Sequence, residues 1–427
     1  MPKHILTFCI LVLAQISFVG SARAQSPVMF PASPQANGRG GVYTSPDDAD
    51  PLAPLSNPGL LGLMARHNRF MAAGYPQRTA WVIPPLEGFP EGRFGLSSRA
   101  LYFGFDQRTL EKYFKARLPF SIGLGYHETN LAMPDFLAYN SLPRNPGSSW
   151  YDNSKGFSIG MGGEVLGIDA GVGFNLKYVI VKQGRFEDHL TTSDFGLYAE
   201  APWKISVYRQ PLSAADSRLR WVPFLTPGLG YSMLNVGPRY TEAYSPFPIK
   251  ARPERTAKLS YTLSTGLDAH HLRFGDWRIL SLEGGVEGED LLVTDNGYGE
   301  YQGIYGDISP MNNVLLAEDN RQITRREGWE IGLGEIIYVR GGDFILAGTE
   351  RYEYMTTGYG LRLGGLLKLA LLDRDVRSSH AVSFVAKHLD LQYDQSTVRF
   401  HRAQLPPGIT VTSPNLTYHE LEVVWHQ

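Results

Sequence analysis

The sequence predicts an all-β fold, a transmembrane antiparallel up-and-down β-barrel of about 14 strands with an N-terminal plug segment. Three observations lead to this fold class. Segments in which apolar side chains alternate with small or polar ones recur along most of the chain. The N-terminus has the features of an export signal, and no later apolar run reaches the ~20 residues of a spanning helix. A chain that crosses a membrane without helices must close its sheet into a barrel.

Residues 1–24 are predicted to be a signal peptide that is cleaved during export. A basic start precedes the apolar stretch Ile5–Val19, and small residues stand at the −3 and −1 positions before Gln25. A membrane anchor is the alternative, but the stretch is shorter than a spanning helix. The single cysteine, Cys9, lies in this segment, so the mature chain has no thiol for disulfides, catalysis or metal binding.

Residues 25–66 do not alternate and are predicted to form an N-terminal plug, with the barrel in residues 67–427. The segment is rich in proline and glycine, and its apolar stretch Gly59–Ala65 cannot remain exposed. We expect this stretch to pack into one mouth of the barrel. The asparagine before it holds a turn and caps a short helix. The predicted plug residues are Asn57, Pro58, Leu60, Leu61, Leu63 and Met64.

The period-two pattern is clearest in Gly358–Leu371, which is apolar at most odd positions and carries Arg362 and Lys368 at even ones. The two cations are predicted to face the lumen, because an arginine on the lipid face costs about 2–4 kcal/mol at mid-bilayer. The lipid-facing residues of this run are then Leu361, Leu363, Leu367 and Leu369. Similar alternation occupies Arg93–Phe105, Leu118–His127, Phe157–Leu166, Gly171–Ile180, Thr256–Ala269, Trp277–Asp290, Trp329–Gly341, Ser379–Tyr393 and Tyr418–Trp425. A soluble β-sandwich or solenoid also alternates, but soluble strands average about 5–6 residues.

The connections between these segments differ in length. The long ones are His127–Lys155, Asn235–Arg255, Leu291–Gly328 and Asp394–Thr417. They share the outer side of a barrel if Ser193–Arg209 is one strand and Thr356–Leu372 is two strands that turn at Gly364-Gly365. The alternation of apolar with small or polar residues continues unbroken through 359–371, which favours one strand instead. The count stays between roughly 12 and 16, and about 14 is favoured because bacterial single-chain barrels use even numbers.

Charged residues on the polar phase of the strands are predicted to face the lumen. They are Arg117, Lys177, Lys258, Glu283, Glu287, Glu330, Arg340, Arg362 and Lys368. In the favoured interpretation these residues form compensating ion pairs that fill the lumen, because neither positive nor negative charges dominate among them. The alternative is a polar path or a binding site beneath the plug. The net charge of −2 gives no basic field, so no nucleic-acid partner is predicted.

No catalytic residue, cofactor or metal ligand set is predicted, and the protein is expected not to be an enzyme. The sequence contains no HExxH, GxSxG or Walker motif. The acidic groups Asp47–Asp50 and Glu287–Asp290 have oxygen ligands for calcium but not the EF-hand spacing, so solvated turn acids are the predicted role. His270 and His271 have no third ligand nearby in sequence and are predicted to be a surface pair.

Three stretches resemble the FadL/PorV superfamily of outer-membrane barrels, which includes transporters of hydrophobic compounds and type IX secretion proteins. Gly40–Val42 followed by Asn57-Pro58 resembles the glycine-rich opening and the Asn-Pro turn of the family's plug. Leu234–Tyr240 resembles a PorV-type stretch with Asn, Gly and Pro. Glu335–Gly342 followed by Tyr354–Arg362 resembles the family's late strand pair.

This resemblance implies a non-enzymatic protein of the bacterial outer membrane that passively transports hydrophobic small molecules. A type IX secretion-associated barrel that docks or shuttles secreted proteins is the alternative, and a purely structural outer-membrane protein is a third. The expected partners are outer-membrane lipid and either a hydrophobic ligand or secretion-system proteins. An apolar pocket beneath the loops with a gap in the wall favours transport, whereas a sealed lumen with broad exposed loops favours docking.

Overall fold

The computed structural model describes the barrel wall, the segment before it and parts of the connections. The described residues are 33–42, 50–74, 81–83, 92–115, 118–133, 150–183, 186–204, 219–237, 240–242, 249–251, 255–271, 275–292, 303–316, 318, 322–345, 353–371, 380–401 and 415–426. The predicted signal peptide and Arg117 lie outside these residues.

Within the described residues, fourteen antiparallel strands pair in chain order and close into a barrel. They are β1 (Asn68–Gly74), β2 (Gly92–Phe105), β3 (Phe120–Met133), β4 (Trp150–Val165), β5 (Ile168–Gln183), β6 (Phe186–Glu200), β7 (Leu219–Val236), β8 (Thr256–His271), β9 (Gly275–Asp290), β10 (Ile323–Leu333), β11 (Ile337–Ile345), β12 (Glu353–Arg362), β13 (Leu389–His401) and β14 (Asn415–His426). The ring closes because β1 pairs with β14 on one edge and with β2 on the other. The predicted barrel and its strand number are confirmed.

Shorter elements lie in the connections and before the wall. The short strands are Trp81–Ile83, Trp203–Lys204, Tyr240–Glu242 and Ile249–Ala251. The helices are α1 (Pro34–Gly38), α2 (Leu60–Met64), α3 (Gln107–Phe114), α4 (Leu363–Ala370) and α5 (His380–His388), with single turns at Ala53–Leu55 and Pro310–Leu315. None of the helices in the described residues is long and apolar enough to cross a membrane.

The wall separates two kinds of side chain, as strand geometry requires. On β5, Gly171, Asn175 and Lys177 face inward and are buried. On the other face of the same strand, Phe174 and Leu176 are 43% and 49% exposed. The same alternation on the other long strands gives the barrel an apolar outer surface and an inner surface of small and polar groups.

The antiparallel order divides the connections between the two ends of the barrel. The four long connections predicted from sequence all follow odd-numbered strands, so they lie at one end, which we call the loop end. The opposite end, the turn end, carries the two-residue turn Leu166-Gly167, whose φ angles of 55° and 78° suit a type I′ hairpin. Residues 50–67 lead into β1 at the turn end, and β14 finishes there.

The predicted strand over Gly358–Leu371 is wrong beyond Arg362, where β12 ends and α4 begins. The run is therefore neither one strand nor two, although the chain does turn there. The Arg362 N–H donates to the Ile336 carbonyl oxygen at 2.9 Å. The Gly364 N–H donates to Asp390 Oδ1 at 2.7 Å, which turns the chain out of the sheet. Apolar residues of the run then fit a helix as well as a strand.

The helix changes the predicted environment of the leucines. Leu367 packs against a buried cluster of Trp277, Leu371 and Ala386, so its predicted lipid contact is wrong. This cluster forms because α4 and α5 pack on each other at the turn end. The other three predicted lipid-facing leucines are exposed: Leu361, Leu363 and Leu369.

Two further predicted segments are divided in the structure. Ser379–Tyr393 begins as α5 and becomes a strand only at Leu389. Trp329–Gly341 spans β10 and β11, which are joined by a tight turn with positive φ at Gly334 and Glu335. The Glu335 carboxylate accepts a hydrogen bond from the Arg278 N–H at 2.9 Å, and this contact anchors the turn to β9.

Candidate functional site: the occupied barrel interior

The chain before β1 lies inside the barrel, and we call residues 33–42 and 50–67 the inner segment. Its helix α2 contacts β3, β4, β5 and β6, whereas α1 contacts β11 to β14. The predicted plug residues Leu60, Leu61, Leu63 and Met64 are at most 2% exposed. They form a core with Met71, Tyr102 and Tyr198, so the apolar side chains that sequence reasoning singled out are covered by the wall and by each other.

Glycines of the wall let the inner segment lie directly against the strand backbones. A Cβ atom added at Gly173 would lie 1.9 Å from the Pro58 carbonyl oxygen, and one at Gly162 would lie 2.5 Å from the Gly62 carbonyl carbon. Contacts this short exclude any side chain at these wall positions. Ser121 Oγ also donates to the Gly62 carbonyl oxygen at 2.6 Å.

The turn before α2 is held by the side chain of Asn57. Asn57 Oδ1 accepts from the Gly59 N–H at 2.9 Å, and Asn57 Nδ2 donates to the Leu197 carbonyl oxygen at 3.0 Å. Wall side chains also pair with carbonyl oxygens of the inner segment. Asn175 Nδ2 donates to the Pro54 carbonyl oxygen and Ser232 Oγ donates to the Ser56 carbonyl oxygen, both at 2.8 Å. Polar groups of the wall thus pair with the irregular backbone that enters the lumen.

A buried ion-pair network joins the end of α1 to the wall. The guanidinium of Arg39 lies 3.7 Å from Glu283 and 3.6 Å from Glu330. Arg340 contacts Glu330 and also Asp394 on β13. All these side chains are at most 2% exposed, so their charges are paired in a largely dry environment.

A second network lies beneath Ser56 of the inner segment. Lys258 Nζ is 3.0 Å from Glu287 and 3.3 Å from Ser56 Oγ. Arg326 lies 3.0 Å from Glu289, which corrects the prediction that Glu287 and Glu289 are solvated turn acids. They are buried on β9 because the strand continues to Asp290 with these carboxylates on its inner face.

The structure describes eight of the nine predicted lumen-facing charges, and these eight fall into three groups. The buried ones on the inner face are Lys177, Lys258, Glu283, Glu287, Glu330 and Arg340. Arg362 is half-buried at the end of β12 with its guanidinium 4.1 Å from the centre of the Tyr338 ring. Lys368 is not on a strand but on α4, where it pairs with Glu335 at 2.5 Å. Arg117 lies outside the described residues.

Sequence reasoning missed the partners that the inner segment supplies and part of the last strand. Asp50 is 1% exposed rather than solvated, with Oδ1 accepting from the Leu52 N–H at 2.8 Å. Burial raises the pKa of Asp50 to about 6. Glu420 and Glu422 on β14 are equally buried. Their even positions between Tyr418 and Val424 were the one signal that they face inward.

Two cavities flank the inner segment, and both are lined mainly by polar or charged groups. One of about 10 Å³ lies beside Asn57, Lys258 and Glu287. The other, of about 790 Å³, opens at the turn end and is lined by several basic side chains. Those side chains are Arg66, His67, Arg69, Arg108 and Lys112.

The chain matches no known family model and no curated protein. Among solved structures it is similar to a FadL homologue from Pseudomonas aeruginosa, at 11% identity and a TM-score of 0.39, covering 93% of this chain and 97% of that one. It is also similar to the transport unit of the autotransporter AIDA-I from Escherichia coli, at 8% identity and a TM-score of 0.37, covering 84% and 90%. The translocator domain of the autotransporter NalP from Neisseria meningitidis is similar at 8% identity and a TM-score of 0.34, covering 84% of this chain and 88% of that one. Likenesses of this size carry no argument about function, and the fold rests on the strand pairing of the chain itself.

Proposed function

We propose that the protein is an outer-membrane β-barrel in which the inner segment is a plug, and that it passively transports small solutes when the plug moves. The observation that carries the proposal is a piece of the chain's own N-terminus inside a closed wall. Besides the apolar core around α2, this piece is held by hydrogen bonds and ion pairs, and such polar contacts can be exchanged for water when a segment leaves.

The chemistry of the interior favours polar solutes over the hydrophobic molecules that the FadL/PorV resemblance implies. The inner face presents glycine, serine, threonine and paired charges, and basic side chains outnumber the acidic Asp106 and Glu164 in the lining of the turn-end cavity. A cavity of this size accommodates a small organic molecule. Its charge favours anionic solutes.

Docking of secreted proteins is the second candidate, and one observation favours it. The loop segment 303–316 covers the outer face of the wall near the loop end, where Ile308 and Val314 pack against Ala257. On its free side, Ile304 and Met311 are each 57% exposed. An exposed apolar surface of this kind suits a protein partner.

Deletion of residues 25–56 is expected to leave the barrel folded and to raise its conductance in planar lipid bilayers. The deletion removes α1 and residues 50–56, so the part of the lumen that these described residues occupy opens to water. Folding is checked by heat-modifiable migration on gels. A variant lacking only residues 25–32 is the matched control, because it keeps every contact described above, and its conductance should equal that of the full chain. Unchanged conductance in the longer deletion contradicts transport and favours docking.

The proposed membrane location predicts the effect of arginine on the outer face. Leu176, near the middle of β5 and 49% exposed, would face the bilayer centre, so Leu176→Arg should weaken folding into lipid vesicles by about 2–4 kcal/mol. Urea titration of the vesicle-inserted protein measures this loss. Leu166→Arg in the exposed turn is the control and should cost close to nothing. Equal costs for both variants would mean that β5 does not cross a bilayer.

A further inference from the structure

Three carboxylates from distant parts of the chain meet inside the barrel. Asp50 comes from the inner segment, and Glu420 and Glu422 come from the inner face of β14. One oxygen of each lies within 4.8 Å of one oxygen of the others. All three residues are at most 1% exposed, so bulk water does not screen their mutual repulsion.

The protein leaves most of these oxygen atoms without a partner. Among the described residues, neither oxygen of Glu420 or Glu422 has a hydrogen-bond partner, and Oδ2 of Asp50 has none. The two cations nearest to them have other partners, since Arg340 contacts Asp394 and Glu330, and the guanidinium of Arg362 lies over the Tyr338 ring. Unpartnered buried carboxylates are costly, so this arrangement calls for bound protons or for a cation.

A neutral side chain independently points to the same place. Gln392 on β13 is the cross-strand partner of Glu422 and is 1% exposed. Its Nε2 donates to Asp390 at 3.3 Å, whereas its buried Oε1 has no hydrogen-bond partner. Asp394, the cross-strand partner of Glu420, also has an unpartnered Oδ2. Gln392 and Asp394 therefore lie on the inner face directly opposite Glu422 and Glu420.

The identity and spacing of these oxygens fit calcium. Calcium binds six to eight oxygen ligands at about 2.3–2.6 Å, so two oxygens on one ion lie no more than about 5 Å apart. The spacing of the three carboxylates is within this limit. Zinc prefers nitrogen and sulfur ligands. Magnesium requires a tighter octahedron and retains several waters, which suits a dry site less well.

We propose that Asp50, Glu420 and Glu422 bind one Ca²⁺ ion, with Gln392 and Asp394 at its edge. The ion joins the inner segment to the last strand, next to the seam where β14 meets β1. It neutralises the buried negative charge and holds the inner segment in place. This clamp does not depend on which solute, if any, passes through the barrel.

The first test is the thermal unfolding of the full chain in detergent, with Ca²⁺ or with EGTA. Ca²⁺ should raise the melting temperature of the natural protein, and the Glu420→Gln/Glu422→Gln variant should show no such rise. In EGTA the variant should melt no lower than the natural protein, because the two substitutions remove the repulsion. Glu164→Gln, an exposed carboxylate at the turn end, is the matched control and should keep the full Ca²⁺ response.

The second test measures binding directly by titration calorimetry with Ca²⁺. Asp50→Asn should weaken binding by about tenfold or more, because a ligand charge is lost. No Ca²⁺ binding by the natural protein overturns the proposal. So does an equal Ca²⁺ response in the double variant, or an equal rise in melting temperature with Mg²⁺ at the same concentration.

Discussion

The substitution Gly173→Val is expected to force the inner segment out of the barrel. The first added atom would lie 1.9 Å from the Pro58 carbonyl oxygen and 2.4 Å from the Pro58 carbonyl carbon. Neither side can yield easily, because Gly173 is paired with Gly160 on β4 and with Gly196 on β6. The Cβ position of Gly196 is itself 2.2 Å from Asn57 Oδ1, so the wall offers no room beside it.

The wall itself should survive Gly173→Val, because β-branched residues suit strands and the ladder hydrogen bonds remain. We therefore expect a folded barrel with higher conductance than the natural protein. Trypsin gives a second measurement, since Arg39 is 1% exposed in the natural protein and should become cleavable. The overpacking costs the closed state about 1–3 kcal/mol or more.

Gly74→Val is the matched control for this prediction. Gly74 also lies on a strand of the wall, and a Cβ atom there meets nothing within 4 Å. The control should keep the natural conductance and the natural protection of Arg39. If Gly173→Val also keeps both, the contact between Pro58 and β5 does not hold the inner segment in the barrel.

The wall was predictable because each strand carries its own signal. Gly171 to Ile180 alternates between small and large residues regardless of what surrounds it, and the structure places this run in β5. Alternation fixes which side chains share a face, and export and strand length favour closure into a barrel. The strand number was favoured as about 14 within a range of roughly 12 to 16, because bacterial single-chain barrels use even numbers.

The helix α4 was not predictable in the same way. Its sequence, Leu-Gly-Gly-Leu-Leu-Lys-Leu-Ala, places apolar residues at spacings that suit a strand and a helix alike. The outcome depends on contacts with distant residues. Asp390 binds the Gly364 N–H, and Trp277 offers a partner for Leu367. Neither contact can be recognised from the sequence of the helix itself.

For the ion pairs between the inner segment and the wall, only the wall's member was visible in the sequence. Glu283 and Glu330 lie on periodic strands, so their inward direction followed from phase. Arg39 and Asp50 lie in a segment without periodicity, and nothing local indicates which strand each of them meets. The contact between Asp50 and Glu420 joins residues from opposite ends of the chain, and only the closed barrel brings them together.

The substitution Arg39→Met is expected to destabilise the closed barrel more than any other single change at an ion pair of the inner segment. Arg39 supplies the inner segment's positive charge to Glu283 and Glu330, and all three side chains are at most 2% exposed. Methionine fills much of the volume of arginine but leaves the two carboxylates short of positive charge. Removing one partner of a buried ion pair costs about 3–5 kcal/mol. Denaturant unfolding in detergent measures this loss, and conductance should rise because the end of α1 is released.

Two variants decide whether the charge is the cause. Arg66→Met also removes a cation of the inner segment, but Arg66 is partly exposed at the turn end beside Asp169 and Glu164. Because solvent screens that pair, its loss should cost only about 0–1 kcal/mol. Adding Glu283→Gln to Arg39→Met should restore part of the lost stability, since one of the stranded carboxylates is then neutral. If the double variant is as unstable as the sum of the two single variants, Arg39 acts by packing alone, and the inner segment is not held in the barrel by this charge.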